Sequence, residues 1–375
     1  VLAVGAGREG MGGMFEVTAQ RVPYGVVGVL SPWNFPMLLA LLDAVPALVA
    51  GCAVIVKPSE LTPRFIEPLQ ATIAESCPIL ASGVLQFVVG GPATGEAIVD
   101  HVDTVCFTGS VRVGRLVAQR AAARMIPCFL EMGGKDPAIV TRSADLNAAT
   151  SAILWGATVN TGQSCLSIER VYVDETVADK FVELLCAKCK QLNDAKMLGP
   201  IISRAQLHII RAHLDDARTK GATVACGGGS TEGPPDLVDA TVLTGVDHTM
   251  LVMTEETFGP IIPVQTYSAV DEAVGLANDS PFGLSGAVFA GGRPEAQSIA
   301  DRLNVGAVSI NDAALTALVH DAEKASFGLS GVGPMSRMGD RSIFRFLRTK
   351  AHIAKVGSAP DPWWFDEVIA KSGAS

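Results

Sequence analysis

The sequence predicts an α/β protein whose parallel sheets are covered by helices on both faces. From Gly25 onward, short apolar runs alternate with stretches of helical periodicity. The runs are apolar throughout rather than at every second residue, as strands buried on both faces must be. The 375 residues, 49% hydrophobic and 18% charged, suffice for two or three domains, each with its own core. Such a composition excludes a disordered chain, which needs low hydrophobicity and high net charge.

In the first series, Gly25–Leu30 reads as a strand, Met37–Ala50 as an apolar helix and Ala53–Val56 as a strand. Helix Pro63–Glu75, strands Leu85–Val89 and Thr104–Phe107, helix Val113–Ala123 and strand Ile126–Leu130 follow. The second series runs through strand Ala138–Val140, helix Leu146–Val159, strand Val171–Val173 and helix Val177–Leu192. It ends with strand Ala287–Ala290, helix Pro294–Leu303 and strand Gly306–Ile310. Glu131-Met132-Gly133-Gly134-Lys135-Asp136 lies between the two series and reads as a domain crossing. Gly227–Gly229 with Pro234-Pro235 reads as a surface loop. The long apolar stretch Pro36 to Val56 approaches membrane-spanning length, but Asp43 and Pro46 interrupt it, and a buried helix followed by a strand fits it better.

Gly5, Gly7 and Gly10 after Val1–Val4 match G-x-G-x-x-G, but that fingerprint requires a helix to begin there. Gly12, Gly13 and an extended Met14–Arg21 follow, so a glycine-rich turn leading into a hairpin is expected. The formal charge of −9 disfavours a nucleic-acid partner. No secretory signal opens the chain, which begins at Val1. Eight scattered cysteines suit a reducing cytosol rather than a disulfide framework. Cys186 and Cys189 form a CxxC inside a helical pattern and lack the two further ligands of a structural zinc site, so no metal is expected.

Three residues carry chemistry. Cys165, in Asn160-Thr161-Gly162-Gln163-Ser164-Cys165, sits on a turn between a helix and a strand. Small neighbours leave its thiol accessible, and amide dipoles or a nearby cation are expected to favour the thiolate. The other seven cysteines read as structural. Glu131 leaves an apolar strand into Gly133-Gly134, where partial desolvation should raise its pKa towards general-base work. A solvent-facing Glu at a domain crossing is an equal alternative. Asn34, in Ser31-Pro32-Trp33-Asn34-Phe35-Pro36, either caps the following helix or donates to an oxyanion.

Eight motifs in order, from residue 25 to residue 311, resemble the NAD(P)-dependent aldehyde dehydrogenase superfamily. They are Pro32–Pro36, Lys57-Pro58-Ser59-Glu60, Phe107–Ser110 with Gly114, Leu130–Lys135, Gly162–Cys165, Glu255–Pro260, Pro281–Ser285 and Gly306 to Asn311. The resemblance implies a Rossmann-type parallel-sheet cofactor domain, an α/β catalytic domain and a small β oligomerisation element. The expected boundaries are 1–20 for an oligomerisation hairpin, 21–132 for part of the NAD-binding domain, 133–340 for the catalytic domain and 341–375 for a C-terminal strand and tail. Family members carry a substantial portion before the Asn34 motif, so either a trimmed N-terminus or a truncated cofactor domain is expected.

By this resemblance Cys165 is the nucleophile, forming a thiohemiacetal and then a thioester. Asn34 and the Cys165 backbone N–H hold the oxyanion, and Glu131 activates water. Glu131 also favours hydrolysis over acyl transfer to coenzyme A. Lys57, Ser59 and Glu60 are placed at the adenosine ribose, where a carboxylate repels a 2′-phosphate and so favours NAD over NADP. Trp33 and Ser110 fall near the pyrophosphate with Phe107 and Gly109, Gly91 and Gly95 near the adenine half, and Glu256 and Phe258 near the nicotinamide ribose. Arg112 is either an extra cation at the phosphates or a solvated helix residue.

The segment Ser326–Gly331 departs from the family pattern, which has Phe-Gly-Gly and a lysine before Ser-Gly. The corresponding tunnel wall is Leu38, Leu39, Leu42, Leu166 and Phe327; it holds no arginine for a substrate carboxylate, although these residues equally suit plain core. An aromatic or medium aliphatic aldehyde is expected, with a thiol esterase or acyl-transfer enzyme and a catalytically dead relative as alternatives. The aromatic tail Asp361–Phe365 and a strand over Lys350–Val356 point to a homo-oligomer, dimer or tetramer, in the cytoplasm. Membrane association is disfavoured, because no basic amphipathic helix accompanies the aromatics.

Overall fold

The computed structural model describes residues 7–10, 13–230, 236–333, 335–356 and 365–373. The first series folds into a six-stranded sheet in the order Gly331–Val332, Cys128–Glu131, Thr104–Thr108, Val26–Leu30, Ala53–Lys57, Leu85–Phe87. All neighbours run parallel except the edge strand Gly331–Val332, which lies antiparallel to Cys128–Glu131. Successive side chains point to opposite faces. Val27, Val29, Val54, Val56, Cys106 and Phe129 therefore join one core cluster, while Val105, Phe107 and Leu130 join another. This two-sided burial explains the unbroken apolar runs. Helix Pro36–Ala50 covers the first face with Ala40, Ala44 and Ala47, and Gly51 at φ +97° ends it. Helices Pro92–His101 and Val111–Ala123 cover the second.

The second series forms a seven-stranded sheet, Thr223–Cys226, Thr241–Thr244, Ile261–Tyr267, Ile168–Asp174, Asp136–Val140, Gly286–Phe289, Val308–Ile310. It is parallel apart from the first pair. Helices Leu146–Thr158 and Ala178–Asp194 pack on one face; Arg204–Thr219, Val270–Asn278 and Arg293–Ala300 pack on the other. Glu131 ends a strand of the first sheet and Asp136 begins one of the second, so the glycine-rich crossing lies where the sequence places it. Residues 331–332, within the span expected to form the catalytic domain, return to the edge of the first sheet.

A third sheet pairs Arg8–Gly10 with Phe15–Pro23, and Phe15–Pro23 with Leu347–Lys355, in register from Leu347↔Pro23 to Lys355↔Phe15. Gly10 thus ends a strand, and Gly13 turns at φ +86°. No helix begins there among the described residues, as expected, but the glycines lie within the hairpin rather than ahead of it, Gly10 in its first strand and Gly13 in its turn. Gly5, Pro234-Pro235 and Asp361–Trp364 lie outside the described residues. Phe365 is exposed. Pro36 to Val56 resolves into a helix and a strand, and no helix among the described residues is long and apolar enough to cross a membrane.

Candidate active site

Helix Leu146–Thr158 starts at Asp145, whose carboxylate accepts from the N–H groups of Asn147 and Ala148 at 2.9 and 3.0 Å. After the helix, Asn160, Thr161 and Gly162 are all left-handed, at φ +50°, +58° and +72°. That conformation costs a non-glycine residue about 1–2 kcal/mol and persists only where surrounding contacts impose it. Here Thr161 donates to the Gly199 carbonyl at 3.0 Å, and Asn160 Nδ2 to the Asn34 carbonyl at 2.9 Å. Gln163, 1% exposed, donates to the Asn160 carbonyl and accepts from the Ile202 N–H. A Cβ at Gly162 would lie 2.3 Å from the Gly259 backbone, and one at Gly134 would lie 2.6 Å from the Cys165 carbonyl oxygen. The turn presents Cys165 half-buried at its end.

Asn34 belongs to this loop. The helix that follows it has Phe35 at its N-cap and no side-chain capping bond. The buried Asn34 carboxamide instead donates to the Gln163 carbonyl at 3.0 Å. The capping alternative is thereby removed. One of the two Nδ2 hydrogens ties the strand–helix loop to the cysteine loop.

Glu131 is half-buried at the end of its strand, and Ser326 Oγ donates to its Oε2 at 2.6 Å. Three carboxylate side chains from distant segments act on Cys165. Burial, followed by Glu256, Asp136 and Glu131, pushes the Cys165 thiol up to about 12. The expected thiolate is therefore not the resting form: desolvation and negative charge outweigh the turn's dipoles. Burial, with Glu169 second, also raises Glu256 to about 8, and burial raises Asp136 to about 7. Both favour the protonated acid near neutrality. Two cations face this cluster. Arg337 opposes the thiol's rise. Half-buried Lys324, which donates to the Thr316 carbonyl, interacts most strongly with Cys165 among its charged neighbours, and burial lowers its own pKa.

A buried ion pair sets the neighbouring turn. Lys135 Nζ lies 2.7 Å from Glu169, with side chains 0% and 2% exposed. The Glu169 carboxylate also accepts from the N–H groups of Thr257 and Phe258, each at 2.7 Å. These bonds hold Phe258 left-handed at φ +51° and bring its ring edge-on to Trp33, centroids 5.4 Å apart. Glu256 turns back to accept from the Gly134 N–H at 3.0 Å. Behind the site, Asp43 accepts from Arg337 at 2.6 Å and Arg345 at 2.8 Å, all three buried.

A cavity of about 750 Å³ opens beyond Trp33. Eight of the expected cofactor residues line it: Trp33, Lys57, Ser59, Glu60, Gly95, Phe107, Gly109 and Ser110, with Arg112 alongside. Gly91 stands just outside as the N-cap of helix Pro92–His101; Phe258 meets the cavity wall only through its ring contact with Trp33, and Glu256, turned to the Gly134 N–H, is not in the lining. Ser110 caps helix Val111–Ala123, accepting from the Val113 N–H at 3.4 Å, so the positive end of that helix meets the cavity. Such an end suits a phosphate. The Ser31 hydroxyl, buried without a hydrogen-bond partner, also lines the cavity. The size lies within the usual range for ligand pockets. At the rim, Lys57 pairs with Glu60 at 3.2 Å, and the Glu60 backbone N–H, then Lys57, holds that carboxyl below its ordinary range. These residues fit an adenine dinucleotide. Of the expected tunnel residues, Leu38 and Phe327 are exposed, and Leu39, Leu42 and Leu166 are half-buried.

A Rossmann-type sheet with a dinucleotide-sized cavity, joined to a second α/β unit bearing a cysteine on a strained turn, defines an NAD(P)-type oxidoreductase architecture. The aldehyde dehydrogenase family matches residues 8–352, and the chain belongs to that family. It is 38% identical over 353 residues to the "Putative succinate-semialdehyde dehydrogenase [NADP(+)]" of Mycolicibacterium smegmatis, covering 90% of this chain. The chain spans 66% of that relative's length. The structure of a "Putative Aldehyde Dehydrogenase" from Anabaena variabilis superposes with a TM-score of 0.92 at 52% identity, covering 97% of this chain and 79% of that one. Betaine aldehyde dehydrogenase of Staphylococcus aureus, in complex with NAD+, gives a TM-score of 0.87 at 30% identity, covering 96% and 73%.

Glu169, Lys324, Ser326 and the Asp43–Arg337–Arg345 cluster do not figure among the sequence-derived candidates. A faint signal existed for two of them: Glu169 interrupts an apolar strand and Asp43 an apolar helix.

Proposed function

We propose that this chain oxidises an aldehyde to a carboxylic acid. The observation that carries the reading is the strained turn presenting Cys165, with the Asn34 amide bound to the same loop. Cys165 Sγ adds to the aldehyde carbon as its thiol proton is released to water. The oxyanion is held by the second Asn34 amide hydrogen and the Cys165 backbone N–H. A bound nicotinamide dinucleotide supplies the hydride acceptor. Glu131 takes a proton from the water that attacks the Cys165 thioester and returns it to the departing Sγ, so that the acid is released and both the thiol and the carboxylate are restored. The dinucleotide is held by Ser110 and its helix end at the phosphates and by Lys57 and Glu60 at the ribose. The Glu60 carboxylate at the rim supports NAD over NADP, although the mycobacterial relative is named for NADP(+).

The apolar side chains Leu38, Leu39, Leu42, Leu166 and Phe327 support an aromatic or medium aliphatic substrate. Lys324 supports a second reading, an aldehyde bearing a carboxylate, since its ammonium group is a local partner for one. We assign residues 21–132, with the returning edge strand 331–332, to the cofactor unit and the rest of 133–340 to the catalytic unit. The short sheet of residues 8–23 and 347–355 is assigned to contacts between copies of the chain, in a cytoplasmic dimer or tetramer.

The test follows NADH absorbance with a panel of apolar and carboxylated aldehydes, with Cys165→Ser alongside. Turnover with NAD that vanishes in the variant supports the reading. Silence with both NAD and NADP, while an ester is hydrolysed through Cys165, would replace it with a cofactor-independent thiol esterase. Silence towards both aldehydes and esters would leave a catalytically dead relative.

A further inference from the structure

The Cys186-x-x-Cys189 pair takes no part in the aldehyde site, yet the fold brings a third thiol to it. Cys186 and Cys189 lie one turn apart on helix Ala178–Asp194 and so share a face. Cys226 is the last residue of edge strand Thr223–Cys226, and all three sulfur-bearing side chains pack with the same core cluster. The pairing of that strand shifts register between Val224 and Cys226, and Gly227 then turns at φ +74°. A Cβ at Gly227 would lie 2.1 Å from the Ala240 carbonyl oxygen, so the turn that seats Cys226 over the helix is tightly constrained. Cys226 and Cys186 thus line the same cleft, over the buried Cys189.

The three thiols are not equivalent. Cys189 is buried and donates to the Ala240 carbonyl at 3.0 Å. Cys186 and Cys226 are half-buried and line one open cleft of about 530 Å³ with Lys190, Asn193, Asp194 and Asp239. A small oxidant in solvent therefore reaches Cys186 and Cys226 and not Cys189. Burial and the neighbouring Cys226 raise the Cys186 thiol, whereas the neighbouring thiols lower that of Cys226. That direction makes Cys226 the attacking thiol and Cys186 its partner in the step proposed below. Among the described residues no group of three His, Cys, Asp or Glu side chains is placed to hold a metal ion, so the arrangement favours thiol–thiol chemistry over coordination.

We propose that Cys226 and Cys186 form a peroxide-oxidised disulfide site, sharing no residue with the Cys165 site. The Cys226 thiolate attacks one oxygen of a hydroperoxide: an S–O bond forms, the O–O bond breaks, and the departing oxygen leaves as water or alcohol after taking up a proton. Cys186 then attacks the Cys226 sulfenic acid. The S–S bond forms, the S–O bond breaks, and the hydroxyl leaves as water with the Cys186 proton. Two thiols together lose two electrons to one peroxide. The product clips the edge strand to the helix, whereas Cys189 remains a reduced, buried thiol.

The test treats the fully reduced, intact chain with stoichiometric hydrogen peroxide, alkylates the remaining thiols and maps the peptides without reductant. The expected result is a Cys186–Cys226 cross-linked peptide, two hydrogens lighter than its parts and separated by dithiothreitol. Cys186→Ser should stop the sequence at a Cys226 sulfenic acid captured by dimedone; Cys226→Ser, repeated as Cys226→Ala, should abolish the cross-link. Mapping by position keeps oxidation of Cys165 out of the readout. Recovery of both thiols unoxidised under peroxide that modifies Cys165 would overturn the proposal. So would a cross-link from Cys226 to Cys189, or dimedone capture at Cys186 in preference to Cys226.

Discussion

Replacing Asn34 by Ala removes one side chain with two separable jobs. In the resting protein its amide satisfies the Gln163 carbonyl at 3.0 Å, in a place where Asn34 is 7% and Gln163 1% exposed. Leaving a buried acceptor without its donor costs about 1–3 kcal/mol of stability. If the second amide hydrogen meets the oxyanion, the barrier should also rise by about 2.7–4 kcal/mol, a loss of roughly 10²–10³ in rate. Urea denaturation reads the first quantity, and the pre-steady-state burst of NADH, at aldehyde concentrations above saturation, reads the second. A donor used only in the transition state should depress kcat and kcat/KM equally. An Asn34→Ala protein that loses stability and keeps its burst rate would refute the oxyanion assignment and leave Asn34 as a tie between loops.

Glu131→Gln should spare the NADH burst and slow the turnovers that follow, because the thioester then lacks its base; loss of the burst itself would count against that division of labour. Lys324→Gln should move the pH profile of Cys165 alkylation upward, since the ammonium group favours the thiolate and the neighbouring carboxylates do not; an unmoved profile would separate Lys324 from the nucleophile. Asp43→Ala should cost about 3–5 kcal/mol in urea unfolding by stranding two buried guanidinium groups; a loss below about 1 kcal/mol would show that water reaches them. Burial alone would raise the Asp43 pKa, but Arg337 and Arg345 more than offset it and hold it below 3.8. The stability this cluster contributes is therefore present above pH 3.8 and should be lost as pH falls through the lower native value, a slope absent from Asp43→Ala.

Most of the first sheet was legible because a strand buried on both faces writes an unbroken apolar run, and Val26–Leu30, Ala53–Lys57 and Thr104–Thr108 do so. Helix Val111–Ala123 begins two residues before its predicted start because Ser110 caps it. Helix Arg204–Thr219 was missed although Leu207, Ile210, Leu214 and Ala217 carry its period; the charged residues between them mask a narrow buried stripe. Strand Ile261–Tyr267 was missed as well, with a proline inside its run.

Cys165, Glu131 and Asn34 could be named from sequence because glycines, prolines and aromatics within a few residues of each announce a constrained turn. The ionisation state of Cys165 could not. It depends on Asp136 and Glu256 converging on the thiol from different strands and turns, and burial makes their charge count. The Asp43–Arg345 contact joins residues 302 apart in the chain, and Lys135 meets Thr257 across 122. Local sequence determines where the backbone turns, since steric limits act between near neighbours. Which charges share a low-dielectric space, and so which proton sits where, is decided only when distant segments pack together.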